Sequence, residues 1–229
     1  GTGTARVPVG IDPVGVAVRP DGKEVWVSNH VSDTVSVVDV DPASPTRHQV
    51  VATVTAWSED GWVTDFDEPV GIAFASNAKA YVALSSRNRI AVVDVASRTV
   101  TKQVQVLAQE PRAITVRGNR LYVIPFESGN TTELSGCLTP TDPGCTFSIG
   151  DLASNSIDII LTRNMVADIV RRPGTPDRDL FVYDTADEST LFEVSGFGTL
   201  LYGLAVDSTG DVFVALTEAR NDANGHMGT

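Results

Sequence analysis

The segment PVGVAVRPDGKEVWVSN, from Pro13 to Asn29, returns three times along the chain. It reads PVGIAFASNAKAYVAL from Pro69, PRAITVRGNRLYVIPF from Pro111 and LYGLAVDSTGDVFVAL from Leu201. Each copy has an alternating apolar segment, a polar turn and an aromatic-Val pair. The pairs are Trp26-Val27, Tyr81-Val82, Tyr122-Val123 and Phe213-Val214. Pro20-Asp21-Gly22, Asn77-Ala78, Gly118-Asn119 and Thr209-Gly210 supply the hairpin turns. A unit this small cannot bury its own apolar face, so its copies must stack on one another.

Third strands are expected at TVSVVDV, RIAVVDV and DLFVYDT, each closing on an aspartate (Asp39, Asp94, Asp184) whose carboxylate can accept N–H groups of the following turn. Fourth strands are expected at QVVATVTA, TVTKQVQVL and TLFEVSGF. Val, Ile, Thr and aromatics dominate, and no long 3.6-residue period competes. Four antiparallel strands recurring every 40–50 residues or so predict an all-β fold, a β-propeller of four-stranded blades. The first strand of each blade lies nearest the axis, where room is short. That accounts for Gly15, Gly71, Ala113 and Gly203, followed two positions on by Ala17, Ala73, Thr115 and Ala205.

Pro-x-Gly-[Val/Ile]-Ala-[Val/Phe], a turn, Trp26-Val27-Ser28-Asn29 and then TVSVVDV resemble the repeat of the YVTN-type propellers. Later copies (YVAL, YVIP, FVAL) lose the terminal Asn. The resemblance covers residues 8–126 and returns over 179–217. It implies a periplasmic, secreted or cell-surface protein. It leaves function open, because similar propellers include binding modules, partners or parts of haem- or quinone-linked redox enzymes, and hydrolases.

Repeat starts at residues 13, 69, 111 and 201 lie 56, 42 and 90 residues apart. The first excess falls in AWSEDGWVTDFDE, residues 56–68. The second predicts an insertion of about 127–177 between the second and third strands of blade three, in a single partial domain over 1–229. A lone strand at ARVPVGI, three full blades and two strands of a fourth make about three and a half blades. The expectation is an arc of a larger ring, with further blades or another chain at its open edges.

The formal charge of -12 argues against a nucleic-acid partner, which would need clustered Lys and Arg. It suits a protein that meets cations or basic surfaces. No apolar run reaches the roughly 18–20 residues of a transmembrane helix. GTGTARVPVGIDP lacks the basic head and apolar centre of a secretion signal, so a signal has been removed or the chain is an internal piece. Cys137 and Cys145 bracket LTPTDPG. A local disulfide there would contribute about 2–3 kcal/mol and favour export; two free thiols are the alternative.

The strongest site signal is an acidic residue ahead of three first strands, at Asp12-Pro13, Glu68-Pro69 and Glu110-Pro111, with Leu200 breaking the series. Carboxylates there would ring the mouth of the channel and could take calcium or a basic ligand. Arg112 stands beside Glu110 and could neutralise it. Trp57 and Trp62 offer either a ligand platform or packing over a blade edge. Asp222 and Asn224 in NDANG faintly resemble a calcium loop but lack its closing Glu. His30, His48 and His226 are too scattered in the repeat for a metal triad. There is no Gly-x-Ser-x-Gly elbow and no Cys-x-x-Cys-His, and Gly196-x-Gly198 is followed by no helix signal. The reading that follows is a non-catalytic, exported binding module for a protein or small ligand. Its rival is a redox-accessory or hydrolytic propeller with active groups partly outside this chain.

Overall fold

The computed structural model describes residues 5–128, 177–198 and 200–217. Within them the repeats form antiparallel sheets in chain order. Blade one is β1 (Pro13–Val18), β2 (Glu24–Asn29), β3 (Thr34–Asp39) and β4 (Val50–Val54). Blade two is β5 (Pro69–Phe74), β6 (Lys79–Leu84), β7 (Arg89–Asp94) and β8 (Thr99–Gln105). Blade three is β9 (Gln109–Arg117), β10 (Arg120–Glu127), β11 (Leu180–Asp184) and β12 (Thr190–Val194). β13 (Leu200–Val206) and β14 (Val212–Thr217) begin blade four, joined to β10 by the bridge Glu127–Leu200. The arc is an incomplete β-propeller. Cys137, Cys145, Asp222, Asn224 and most of segment 127–177 lie outside the described residues.

The first strands gather: β1 packs on β5, β5 on β9 and β9 on β13. A Cβ on Gly15 would come closer than 3.0 Å to the Val70 carbonyl, and one on Gly71 equally close to that of Arg112. The Ser28 hydroxyl donates to the same Val70 oxygen at 2.6 Å. The cores therefore lie between blades. Trp26, Val35, Val37 and Val54 of blade one interlock with Ala80, Val82, Leu84 and Val93 of blade two, around the buried Phe66. Tyr81 and Ile90 meet Leu121 and Phe181, and Tyr122 and Val182 meet Leu201.

Asp39, Asp94 and Asp184 do accept turn N–H groups, from Asp41, Ser97 and Ala186 at 2.8–2.9 Å. The backbone carbonyl of each also takes the N–H of a left-handed residue ahead of the fourth strand: His48 (φ 67°), Arg98 (φ 63°) and Glu188 (φ 62°). From this repeated position a side chain reaches back to the previous blade. Arg98 pairs with Glu24 at the head of β2, which also holds Arg19 at 2.9 Å and accepts from the Trp26 indole at 3.0 Å. Glu188 pairs with Lys79 at the head of β6 (2.8 Å) and with Lys102 (3.0 Å), and accepts from the Tyr81 hydroxyl (3.0 Å). The latch is the same and its polarity is reversed.

ARVPVGI is a correction: residues 5–11 form no strand. Pro8 has no N–H to give to a ladder. Gly10 and Ile11 donate instead to the Asn29 amide oxygen (3.0 Å) and the Ser32 hydroxyl (2.6 Å). Asn29, the terminal residue of the motif that resembles the family repeat, thus works structurally. It is fully buried and its NH2 reaches Thr34 and Ser36, both at 3.0 Å.

Burial raises the Glu188 carboxyl, but hydrogen bonds from Lys79, Lys102 and Tyr81 outweigh it and hold the group below the usual carboxylate value. Its stabilisation is therefore complete above the unfolded pKa, about 4.3, and fades as pH falls through the lower folded value. Glu188→Gln is expected to cost about 1–2 kcal/mol at pH 7 and nothing extra once the carboxyl is protonated. Urea unfolding of both proteins from pH 7 down through the carboxylate range checks this; a difference that does not shrink on acidification contradicts it.

Candidate binding site

In each sheet the first strand begins, the second ends and the third begins at one end. That end carries the connections from one blade to the next and the turns between second and third strands. Asp12, Glu68, Glu110, Arg112, Trp57 and Trp62 all belong to it. The opposite end carries the turns from first to second and from third to fourth strands, including the latches.

Asp12, Glu68 and Glu110 share a backbone peculiarity the sequence did not reveal: φ is 56°, 50° and 53°, in the left-handed region. This is uncommon for a side-chain-bearing residue and more so ahead of proline, so the surroundings must hold it. Asp33 and Asn88, themselves left-handed at the tips of β2–β3 and β6–β7, do so for Glu68 and Glu110. The Asp33 carboxylate accepts from the Glu68 N–H at 3.0 Å, and the Asn88 amide oxygen from the Glu110 N–H at 2.9 Å. The Asp12 carbonyl takes the His30 N–H (2.8 Å) and the Glu68 carbonyl that of Ser85 (3.0 Å). An Asx residue alone at a hairpin tip was the available signal for these clamps, since Asp and Asn tolerate that conformation. Glu110 also differs from the expected position ahead of its strand: it lies inside β9, because Gln109 pairs with Glu127 across a bulge.

The side chains have separate neighbours. Glu68 accepts from the Ser85 hydroxyl at 3.2 Å and lies 3.9 Å from His30 Nε2. Glu110 pairs with Arg112 at 2.7 Å, and the Arg112 guanidinium lies 4.3 Å from the centre of the Phe126 ring, a cation–π arrangement. Phe126 meets Tyr202 edge-on at 5.4 Å. Among the described residues no group of three or more His, Cys, Asp or Glu is placed to hold a metal ion.

The connection of residues 56–68 folds into a small hairpin closed by a Trp57–Thr64 bridge and by the Ser58 N–H donating to the Val63 carbonyl at 2.9 Å. Packing over the blade edge is not what its tryptophans do. Trp57 is 60% and Trp62 85% exposed, with Val63 51% exposed beside them. The buried member of this connection is Phe66, which sequence reading missed. At the tip the Asp60 carboxylate accepts from the Trp62 N–H (3.1 Å) and the Ser58 hydroxyl (2.5 Å), and these bonds hold its carboxyl below the usual range. Asp65 and Asp67 flank Arg87 at 3.9 and 3.6 Å. The hairpin presents two exposed tryptophans with the exposed Glu59 and Asp60 between them in sequence, while Asp65 and Asp67 face Arg87. No helix among the described residues is long and apolar enough to cross a membrane.

No family model matches the sequence. Over 117 residues the chain is 34% identical to the seven-bladed beta-propeller protein Rv1057 of Mycobacterium tuberculosis, a match covering 51% of this chain and 26% of that protein. The structure is similar to that of Kuenenia stuttgartiensis hydrazine synthase, with a TM-score of 0.58 and 17% identity over 95% of this chain and 45% of that one. It is also similar to the WD40 beta propeller domain of Doa1, with a TM-score of 0.50 and 10% identity over 86% of this chain and 45% of that one. The chain therefore matches about a quarter of the length of the curated relative and less than half of each solved chain. At these identities the solved structures speak to fold alone, and with the relative they agree on it: this chain has the β-propeller fold and covers an arc of one.

Proposed function

We propose that the protein is a non-catalytic binding module of the YVTN type, exported or held at the cell envelope, that engages a protein partner rich in Lys and Arg. A propeller is a scaffold well suited to protein interaction, and the end of the sheets bearing Asp12, Glu68, Glu110 and the 56–68 hairpin is its working face. The observation that carries the reading is the pair of exposed tryptophans, Trp57 and Trp62, on a hairpin whose tip carries the exposed Glu59 and Asp60. Exposed tryptophan is the side chain most often at the energetic centre of an interface, and carboxylates beside it steer a basic partner toward it. The net charge of -12 acts in the same direction over longer range. Export is supported by the resemblance of Trp26-Val27-Ser28-Asn29 to the family repeat and by the closely spaced Cys137 and Cys145.

A Lys/Arg-rich peptide titrated at low salt is expected to change the tryptophan fluorescence, with affinity falling as salt rises. Trp62→Ala should weaken binding about tenfold or more, and Glu59→Gln, at the exposed tip, about two- to threefold, mostly through the association rate. Asp187→Asn, at the opposite end of the sheets, should leave it unchanged. Absence of salt-dependent binding contradicts the proposal. So does a calcium-dependent rise in Tm that is lost in Glu68→Ala, which would make the ligand a cation. For export, peptide mapping of the native protein without reductant should recover Cys137 linked to Cys145; two free thiols would remove that support.

A further inference from the structure

The tryptophan hairpin is held by its returning arm rather than by its tip. The hydrogen bonds that shape the tip are its own. The Ser58 N–H donates to the Val63 carbonyl (2.9 Å), the Gly61 N–H to the Ser58 carbonyl (2.8 Å), and the Trp62 N–H to Asp60 (3.1 Å). The returning arm, residues 64–67, is tied to blade two. The Arg87 guanidinium donates to the Thr64 carbonyl and lies 3.9 Å from the Asp65 carboxylate and 3.6 Å from that of Asp67. The Ser86 hydroxyl donates to Asp67 at 3.1 Å, and the Gln103 side-chain amide to the Asp65 carbonyl at 2.7 Å. Phe66, fully buried, is the arm's apolar anchor.

Most of these contacts converge on one short turn, residues 85–88 between β6 and β7. Ser85 and Asn88 serve its channel side: the Ser85 hydroxyl donates to the Glu68 carbonyl, and the Asn88 amide oxygen accepts from the Glu110 N–H. Ser86 and Arg87 serve the hairpin. The planar guanidinium of Arg87 meets a carbonyl and two carboxylates of the arm at once, which the point charge of a lysine would not. A pinned hairpin meets its partner without first losing loop freedom, and a platform gains affinity that way. Charge alone would make Arg87 a hindrance to a partner rich in Lys and Arg. Its place here is explained by what it holds.

We propose that Arg87 is the positioning residue of this binding site, docking the 64–67 arm on the β6–β7 turn so that Trp57 and Trp62 are presented in one fixed pose. The proposal rests on the binding reading above, and one arm of its test needs no ligand. In hydrogen exchange on the 229-residue chain, Arg87→Ala should lower protection of the Ser58 and Asp65 amides about tenfold or more, while the amides of β6 and β7 keep theirs. Gln103→Ala, which removes one bond to the same arm, should lower it less. Unchanged protection of Ser58 and Asp65 in Arg87→Ala overturns the proposal, whatever a ligand does.

The second arm is titration with the Lys/Arg-rich peptide at low salt. Arg87→Ala makes the surface more negative, so electrostatics alone would tighten binding, whereas loss of positioning weakens it about fivefold or more. Arg87→Lys keeps the charge and loses the fork, and should recover only part of that loss. In a Trp62→Ala background Arg87→Ala should cost clearly less, because it acts through the tryptophans. Tighter binding by Arg87→Ala, or an equal loss with and without Trp62, overturns the proposal and leaves the binding reading standing. A parent chain that binds no peptide contradicts the binding reading, and the exchange result still decides whether Arg87 holds the hairpin.

Discussion

Gly15 and Gly71 lie against the carbonyls of Val70 and Arg112, and the rest of the arc depends on that approach. Where two sheets come this close at their first strands, they must diverge outward, because each strand twists relative to its neighbour and carries larger side chains. Divergence creates wedges between blades. The wedges are filled by Trp26, Phe66 and Leu84 at the first junction, and by Tyr81, Ile90 and Phe181 at the second. Toward the opposite end the ionic latches Glu24–Arg98 and Lys79–Glu188 tie the sheets together again. Small residues inside, aromatics between and paired charges at the turns are three consequences of one geometry.

Opposite latch polarities give the junctions an identity that apolar packing alone does not. Each of the three buried clusters sets an aromatic of the second strand among aliphatic residues, a chemistry that does not by itself distinguish one blade from the next. Setting Glu24 against a glutamate, or Lys79 against an arginine, would leave like charges facing at a partly buried site, which costs far more than an exposed pair gains. The charges thus discriminate between neighbours more than they strengthen any one contact.

Much of this was legible in the sequence because a repeat averages out local ambiguity. The Gly-x-Ala pattern, the turn residues and the strand-ending aspartates each occurred often enough to fix strand order and the inward face. What occurred once, or depended on a partner distant in sequence, was not legible. Phe66 sits in a connection without repeat register, so its burial left no periodic trace. Asp33 and Asn88 looked like ordinary turn residues, and their clamps on Glu68 and Glu110 span 35 and 22 residues. The acidic residues before proline were visible, but their left-handed backbone was not, and it gives those positions a structural constraint beside any binding role. At the 56–68 hairpin the sequence left Trp57 and Trp62 between a ligand platform and packing over a blade edge; with the short bridge in place both are exposed.

The close approach of first strands is tested most directly by the unfolding free energies of Gly15→Ala, Gly71→Ala and Gly203→Ala, measured by urea denaturation at neutral pH. A methyl group at either of the first two must push a backbone carbonyl aside, so each should lose about 1–3 kcal/mol or more. At Gly203 the nearest side chain is at ordinary contact distance, so that variant should stay within about 0.5 kcal/mol of the parent. Equal effects at all three glycines, or none at Gly15 and Gly71, would mean that the blades are not held together along their inner strands.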